Sequence, residues 1–161
     1  MKKLNNKGFS LVELIIVIAI MAILVGVVGT QVIPYLENSR KAKDTQIFSA
    51  WNTAAVSAYS TEAGNLDANG NYKITVSKTQ NVTPSGATKG ADKLVKTFLE
   101  LTDLKKADGT SSYAFDTQCS SKAGKDVTKV EIYINGGNGQ VITTIFNSNS
   151  DKYSFDTIEN K

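Results

Sequence analysis

One acidic side chain, Glu13, stands near the start of a long apolar run. It is the only charged residue between Phe9 and Ile33, a stretch of 25 residues composed mainly of Leu, Ile, Val, Ala, Met and Gly. A carboxylate costs about 2.5–3.5 kcal/mol at the centre of a membrane helix, and less near the end of that helix. If the run lies in lipid, Glu13 therefore requires a partner that offsets this cost.

The apolar run has the length of a membrane-spanning helix. Its 25 residues would rise about 37 Å as a helix, which is enough to cross a hydrocarbon core of about 30 Å with some tilt. The run is apolar on every face, so packing against a single core does not explain it. Lys2, Lys3 and Lys7 precede it, and the positive-inside rule predicts a cytoplasmic N-terminus and export of the rest of the chain.

Two simpler interpretations of this run must be weighed. A secretory signal peptide has a shorter apolar region and a small-residue cleavage site after it, whereas here Gly-Thr-Gln-Val-Ile-Pro follows. Such a signal also has no use for Glu13. A plain signal-anchor, which would span the membrane and remain there, stays open on these grounds.

Residues 7–17, Lys-Gly-Phe-Ser-Leu-Val-Glu-Leu-Ile-Ile-Val, resemble the N-terminus of a type IV prepilin of the short-leader, type IVa class. The resemblance covers about a fifth of the chain and fills every diagnostic position. It implies that a membrane-embedded peptidase cuts between Gly8 and Phe9 on the cytoplasmic side, and that Phe9 is then N-methylated. The apolar run would stay in the mature protein.

The same resemblance implies an assembly role for Glu13. Cleavage would create a positive amine at Phe9, and in the family this glutamate meets the amine of a neighbouring subunit. Two charges that are costly alone in lipid attract strongly at low dielectric, so the pair would fix the register between subunits. A local alternative remains, because Ser10 and Glu13 also fit a capping box in which Glu13 folds back on Ser10.

Three residues, Gly26, Gly29 and Pro34, interrupt the second half of the run. Glycine weakens a helix interior by about 1 kcal/mol and proline by about 3 kcal/mol. The resemblance implies that this segment stretches or melts when a subunit enters a filament. The alternative is a helix that kinks as it leaves the membrane.

Beyond the run, hydrophobic spacing predicts a helix followed by a sheet. Residues at three- and four-residue intervals continue the helix through Tyr59, and they are Ile47, Trp51, Ala54, Ala55, Ala58 and Tyr59. Gly64 and Asn65 are residue types that commonly end a helix, so we expect this helix to end near them. Leu94, Val95, Phe98, Leu101 and Leu104 predict a second helix over residues 91–107. Residues 66–90 are otherwise loop-like, with one strand predicted over 72–76.

The C-terminal part changes to a period of two residues. Strands around 130–134 and 141–146 flank a Gly/Asn turn and predict a hairpin, and residues 153–158 predict a third strand. The expected fold class is α+β, with a long N-terminal helix whose second half packs against an antiparallel sheet, as in pilins. The Asp67-Ala-Asn-Gly-Asn stretch is no calcium loop, because Lys78 occupies the position of the bidentate glutamate.

Composition argues against an enzyme. The chain has no histidine and one cysteine, which removes the commonest acid–base residue and the usual zinc sites, and it has no glycine-rich phosphate loop. We expect no cofactor and no metal. Cys119 alone allows no intrachain disulfide, and this departs from many Gram-negative pilins and resembles those of Gram-positive, especially clostridial, bacteria. Its other interpretation is a semi-buried thiol in a loop over residues 117–124.

Charge gives little support for nucleic-acid binding. The whole chain has 18 basic and 15 acidic residues, and loss of Lys2, Lys3 and Lys7 would leave 15 of each. The cluster of Arg40, Lys41 and Lys43 is interpreted as a solvated helix face, or as a charge partner for Glu37 and Asp44.

The sequence thus predicts a type IV pilin precursor, most simply a major subunit. We expect a leader at residues 1–8, a transmembrane and filament-core helix at 9–34, and an extracellular pilin head at 35–161. Its partners would be further copies of itself, the prepilin peptidase, the assembly platform with its ATPase, and the membrane before assembly. A pseudopilin of a secretion or DNA-uptake system and a membrane-anchored binding module are the alternatives.

Overall fold

The computed structural model describes residues 8–78, 82–87, 89–102, 104 and 113–160. The chain divides into two compact units, Met1–Asn38 and Ser39–Lys161, and we call the second one the head unit. The predicted leader falls on residues 1–8, of which only Gly8 lies within the described part of the chain.

Helix α1 spans Leu11–Glu62 and confirms the long N-terminal helix predicted from the sequence. Leu, Ala and Met in its first half are good helix formers, whereas the β-branched Ile and Val between them have intermediate helix propensity. The helix ends at Glu62 and passes into a short 3-10 turn, Ala63–Asn65, so the Gly-Asn pair marks its end closely.

The head unit contains one antiparallel sheet of five strands in the order β2-β1-β3-β4-β5. The strands are β1 (Asn71–Ser77), β2 (Thr83–Gly86), β3 (Val127–Asn135), β4 (Val141–Asn147) and β5 (Ile158–Glu159). Ile74 pairs with Ile132, and Ile132 pairs with Thr143, so alternate side chains of three strands point to one face. The predicted α+β class and the β3–β4 hairpin are confirmed.

The core forms where the second half of α1 meets this sheet face. Phe48, Ala55 and Ala58 on the helix are fully buried, and Trp51 is nearly so. They share one cluster with the buried residues of the strands, which include Tyr72, Ile74, Val76, Val130, Ile132, Ile134 and Val141. The Asn52 amide donates to the Thr143 hydroxyl at 3.0 Å and satisfies a polar side chain inside this core.

Three shorter helices complete the head unit: α2 (Ala91–Leu101), α3 (Phe115–Gln118) and α4 (Lys122–Lys125). The predicted extent of α2 was wrong, because the helix ends at Leu101. Thr102 has non-helical dihedrals and its hydroxyl donates to the Phe98 carbonyl, which closes the last turn. Leu101 is half-exposed, whereas Leu104 is buried beyond the helix end. Residues 105–107 of the predicted helix lie outside the described residues.

Two strand predictions were also wrong. β2 falls in a segment that was expected to be a loop, because Pro, Ser and Gly have low strand propensity. It pairs with β1 from Thr75–Thr83 to Tyr72–Gly86. The third strand predicted over residues 153–158 is much shorter, since only Ile158 belongs to β5. Phe155 packs edge-on against Phe48, with ring centroids 5.3 Å apart. This segment therefore contributes a side chain to the core and does not pair with a strand of the sheet there.

Candidate processing and assembly site

The Gly8–Phe9 peptide bond lies in an open, non-helical segment just before α1. Among the described residues, no atom beyond its chain neighbours lies within 4 Å of the position where a Gly8 side chain would begin. Phe9 is 87% exposed. A protease needs a segment that its own active site can enclose, and the exposure of both residues leaves this bond accessible.

The Glu13 carboxylate is held by the backbone of Ser10. The Ser10 amide donates to Glu13 Oε2 at 2.8 Å, and the Leu14 amide donates to the Ser10 carbonyl at 3.2 Å. The first of these bonds is the glutamate half of a capping box. The local role proposed for Glu13 from the sequence is therefore present in the single chain, where it satisfies one amide at the start of α1.

The apolar side chains that follow are exposed on all faces of α1. Exposure is 52% at Ile16, 59% at Met21 and 69% at Val25, and no residue of the most apolar 18-residue window is buried. That window has a mean hydropathy of 3.1, so the helix is long and apolar enough to cross a membrane. An apolar surface of this extent marks a membrane or protein contact.

A family model described as the prokaryotic N-terminal methylation motif matches residues 3–29. The chain carries this methylation motif at its N-terminus. The match includes Gly8, Phe9 and Glu13, and it ends at Gly29, before Pro34. It supports a prepilin-type protein, similar to a type IV pilin or a pseudopilin. Comparisons with curated proteins and with solved structures give no significant match.

The methylation motif and the fold together favour a structural protein over a catalytic one. The motif marks processing of the chain by another enzyme, and the long helix with its sheet-bearing head is consistent with a pilin fold. The residues described here contain no group of three or more His, Cys, Asp or Glu side chains that could hold a metal ion.

Gly26, Gly29 and Pro34 all lie inside α1, which is helical at each of them. Apart from the backbone of α1 itself, a side chain at Gly26 or Gly29 would meet no atom of the described residues within 4 Å, so packing against them does not require glycine at either position. The predicted flexibility of this segment stays a prediction.

A buried carboxylate in the head unit was missed as a structural feature by sequence reasoning. Asp44 is fully buried, and its carboxylate accepts bonds from the Ser120 amide, the Ser121 amide and the Ser121 hydroxyl at 2.8, 2.8 and 2.5 Å. Ser121 Oγ accepts in turn from the Gly124 amide at 2.8 Å. A methyl group at Gly124 would overlap the Asp44 carboxylate, so this position requires glycine.

These bonds join α1, near the point where it enters the head unit, to the loop between α3 and α4. We call them the Asp44 clamp. The sequence offered Arg40, Lys41 and Lys43 as charge partners of Glu37 and Asp44, and the structure shows amide and hydroxyl groups of Ser120 and Ser121 as hydrogen-bond donors to Asp44. A signal was present in the sequence: Asp44 precedes Phe48 by four residues and Trp51 by seven, which places it on the buried face of α1.

Cys119 lies beside the Asp44 clamp and is buried as a free thiol. Burial raises the pKa of the Cys119 thiol to about 12, and the negative charge of Asp44 adds to this effect. Burial likewise raises the pKa of Tyr113, whose hydroxyl is hydrogen-bonded to Cys119. A thiol that stays protonated is a poor nucleophile, so the environment of Cys119 matches a packing role.

Proposed function

We propose that this chain is the structural subunit of a type IV pilus. A peptidase removes residues 1–8, Phe9 becomes the N-methylated first residue, and many copies polymerise through their apolar helices into an extracellular filament. One observation carries the proposal: a methylation motif leads directly into an apolar helix that is exposed on every face and is followed by a folded head.

The physical chemistry of the apolar helix supports two successive environments. Before assembly, lipid covers its side chains, with the N-terminus in the cytoplasm and the head outside. After assembly, helices of neighbouring subunits replace lipid as the apolar surroundings. Because one apolar environment replaces another, the free energy of moving the helix from lipid into the filament is close to zero. The ATPase of an assembly platform would therefore drive the transfer.

The ion pair between Glu13 and the Phe9 amine of a neighbour gives the filament its register. Within the monomer Glu13 already accepts from the Ser10 amide, and a carboxylate has further lone pairs for a second donor. The local bond therefore holds Glu13 before assembly, and the ion pair adds to it in the filament.

Features of the sequence suggest a more specific class of pilin. The short leader and the motif support our assignment to the type IVa major pilins, and the lone Cys119 favours the Gram-positive, clostridial kind. Adhesion, motility or surface colonisation would be the use of the filament. A pseudopilin would form only short fibres, and a membrane-anchored binding module would keep its leader uncut.

The test is a variant that blocks processing. Gly8→Val should leave residues 1–8 attached, retain the protein in the membrane and abolish surface filaments. Gly64→Val is the control, because Gly64 also has open space around it but lies outside the motif. Intact mass and electron microscopy of sheared material report both effects. Filaments from an uncleaved Gly8→Val chain would contradict the proposal.

A further inference from the structure

The C-terminal segment of the head unit pairs with β4 over a much shorter length than its sequence allows. Alternating residues predicted a strand over 153–158, whereas β5 comprises only Ile158–Glu159. The Asn160 amide donates to the Val141 carbonyl at 3.2 Å and extends this contact by one further residue. We call residues 153–160 the C-terminal strap.

Both ends of the strap are held in one common register with β4. Thr143 of β4 pairs with Ile158. Continued toward the preceding turn, this antiparallel register leaves residues 149–152 as the loop between the two strands. That loop is already closed, because the Tyr153 amide donates to the Asn149 carbonyl at 2.9 Å. The strap therefore has the right number of residues to pair along β4 without a shift of register.

The side chain of Phe155 keeps the middle of the strap away from β4. Thr143 is buried and bonded to α1, so Ile158 opposite it belongs to the same inner face of the sheet. Side chains alternate along a strand, and Phe155, three positions before Ile158, would therefore point to the outer face. In the structure Phe155 packs instead on the fully buried Phe48. Burial of Phe155 and continuous pairing of the strap exclude each other.

We propose that the C-terminal strap is a two-state element of the head unit. In the docked state, which the structure shows, Phe155 packs on the core and β5 is short. In the extended state Phe155 leaves the core, residues 153–160 pair along β4, and the Asp156 amide donates to the Ile145 carbonyl. The switch lies entirely within the head unit, so it does not depend on the proposed function.

The extended state replaces the contacts of the docked state with others of comparable kind. On the outer face Phe155 would lie opposite Phe146, which is 36% exposed, and aromatic pairs across two strands stabilise a sheet. On the inner face Asp156 would turn toward the position of Lys41, whose Nζ now lies 5.3 Å from the centre of the Phe155 ring. The Lys41 ammonium would exchange an aromatic ring for a carboxylate.

The switch decides which aromatic side chains the head presents. In the docked state Phe155 covers Phe48, and Phe146 is exposed on the outer face. In the extended state Tyr153 and Phe155 would join Phe146 on that face, because all three point the same way in the common register. Phe48 would lose its cover at the same time. One rearrangement thus changes both the core and the surface of the head.

The experiment measures amide hydrogen exchange at single residues, by NMR spectroscopy of the full chain in detergent micelles. Phe155→Thr removes the ring that holds the docked state and supplies a residue that favours strands. The Asp156 amide should then exchange roughly tenfold more slowly than in the wild-type chain, because it becomes bonded to the Ile145 carbonyl. The Ile132 amide, in the centre of the sheet, should stay protected in both chains and reports that the head is folded.

A second substitution distinguishes strand pairing from a general loss of motion. The Ser154 amide should also gain protection in the Phe155→Thr chain. Proline has no amide proton and cannot donate to β4, so F155T/D156P should lose that gain. The matched variant F155T/S150P should keep it, because Ser150 lies in the loop, at the second position of a turn, where proline is favoured.

Faster or unchanged exchange at Asp156 in the Phe155→Thr chain would overturn the inference, since the strap would then merely detach. The wild-type chain supplies an independent test. Relaxation dispersion of its Ser154 and Asp156 amides should report a minor state with the chemical shifts of an extended strand. Absence of that state would overturn the inference even if Phe155→Thr failed to fold. Processing at Gly8 is unaffected by either result.

Discussion

The backbone amide of Ser10 donates to the Glu13 carboxylate at 2.8 Å. The only charged side chain of the apolar run is therefore bound by the backbone of a residue three positions before it. This bond separates two roles that the sequence left open. The local role is present in a single chain. The intersubunit role requires the negative charge as well as an acceptor, and substitutions can therefore distinguish them.

Glu13→Ala and Glu13→Gln test whether charge is required. Glutamine retains an oxygen that can accept from the Ser10 amide, but it cannot form an ion pair with the Phe9 amine. We expect both variants to insert and to be cleaved normally, and both to give at least tenfold less sheared filament. Gln31→Ala, a polar residue of the same run, is the control. A normal filament yield from Glu13→Gln would show that the local bond is sufficient.

Gly26→Ala with Gly29→Ala tests the predicted flexibility of α1. Alanine stabilises a helix interior by about 1 kcal/mol per glycine replaced, and neither position has an atom close enough to obstruct a methyl group. Filaments of the double variant should extend less under load in single-filament force measurements. Gly64→Ala makes the same change outside the run and should leave the extension unchanged. Equal extension of all three filaments would exclude these glycines as the source of flexibility.

Asp44→Ala tests the clamp. The substitution leaves two amides and the Ser121 hydroxyl without their acceptor inside the fold, and we expect it to lower the free energy of unfolding of the head by about 3 kcal/mol. Urea unfolding followed by Trp51 fluorescence measures this change. Asp156→Ala, an exposed carboxylate, should change it by less than about 0.5 kcal/mol. A similar loss in the two variants would show that the clamp does not stabilise the head.

The pKa of Cys119 gives a prediction for alkaline pH. Its folded-state pKa of about 12 lies above the ordinary thiol pKa of 9.0, so the stabilising contribution is complete below pH 9. As pH rises from 9 towards 12, the unfolded chain loses the thiol proton first, and the stability of the head should fall. At pH 8 a thiol reagent should label the native chain far more slowly than the urea-unfolded chain. Equal rates would contradict the buried, protonated thiol.

The features that could be predicted from the sequence are those specified by local pattern. The run to Ile33 and the alanine-rich stripe through Ala58 specify α1, because helical periodicity is set by neighbours three and four residues apart. The β3–β4 hairpin follows from alternating strands around a Gly/Asn turn. The methylation motif was also local, since it occupies one continuous stretch, residues 3–29.

The features that were missed depend on partners distant in the chain. β2 exists because β1 offers it a pairing edge, and Gly86 can adopt the positive φ of 114° that ends the strand. The Asp44 clamp joins residues 76 and 77 positions apart, so no local pattern could name Ser120 or Ser121 as partners. Phe155 leaves the predicted third strand because contacts with Phe48 and Lys41 draw it onto the core.

The central claim is that cleavage before Phe9 yields a chain that polymerises outside the cell. Mass spectrometry of the N-terminal peptide from filaments sheared off the cell surface tests it most directly. The account predicts that this peptide begins with N-methylated Phe9. An intact Met1 in surface material, or processed Phe9 found only in membranes without long filaments, would contradict it.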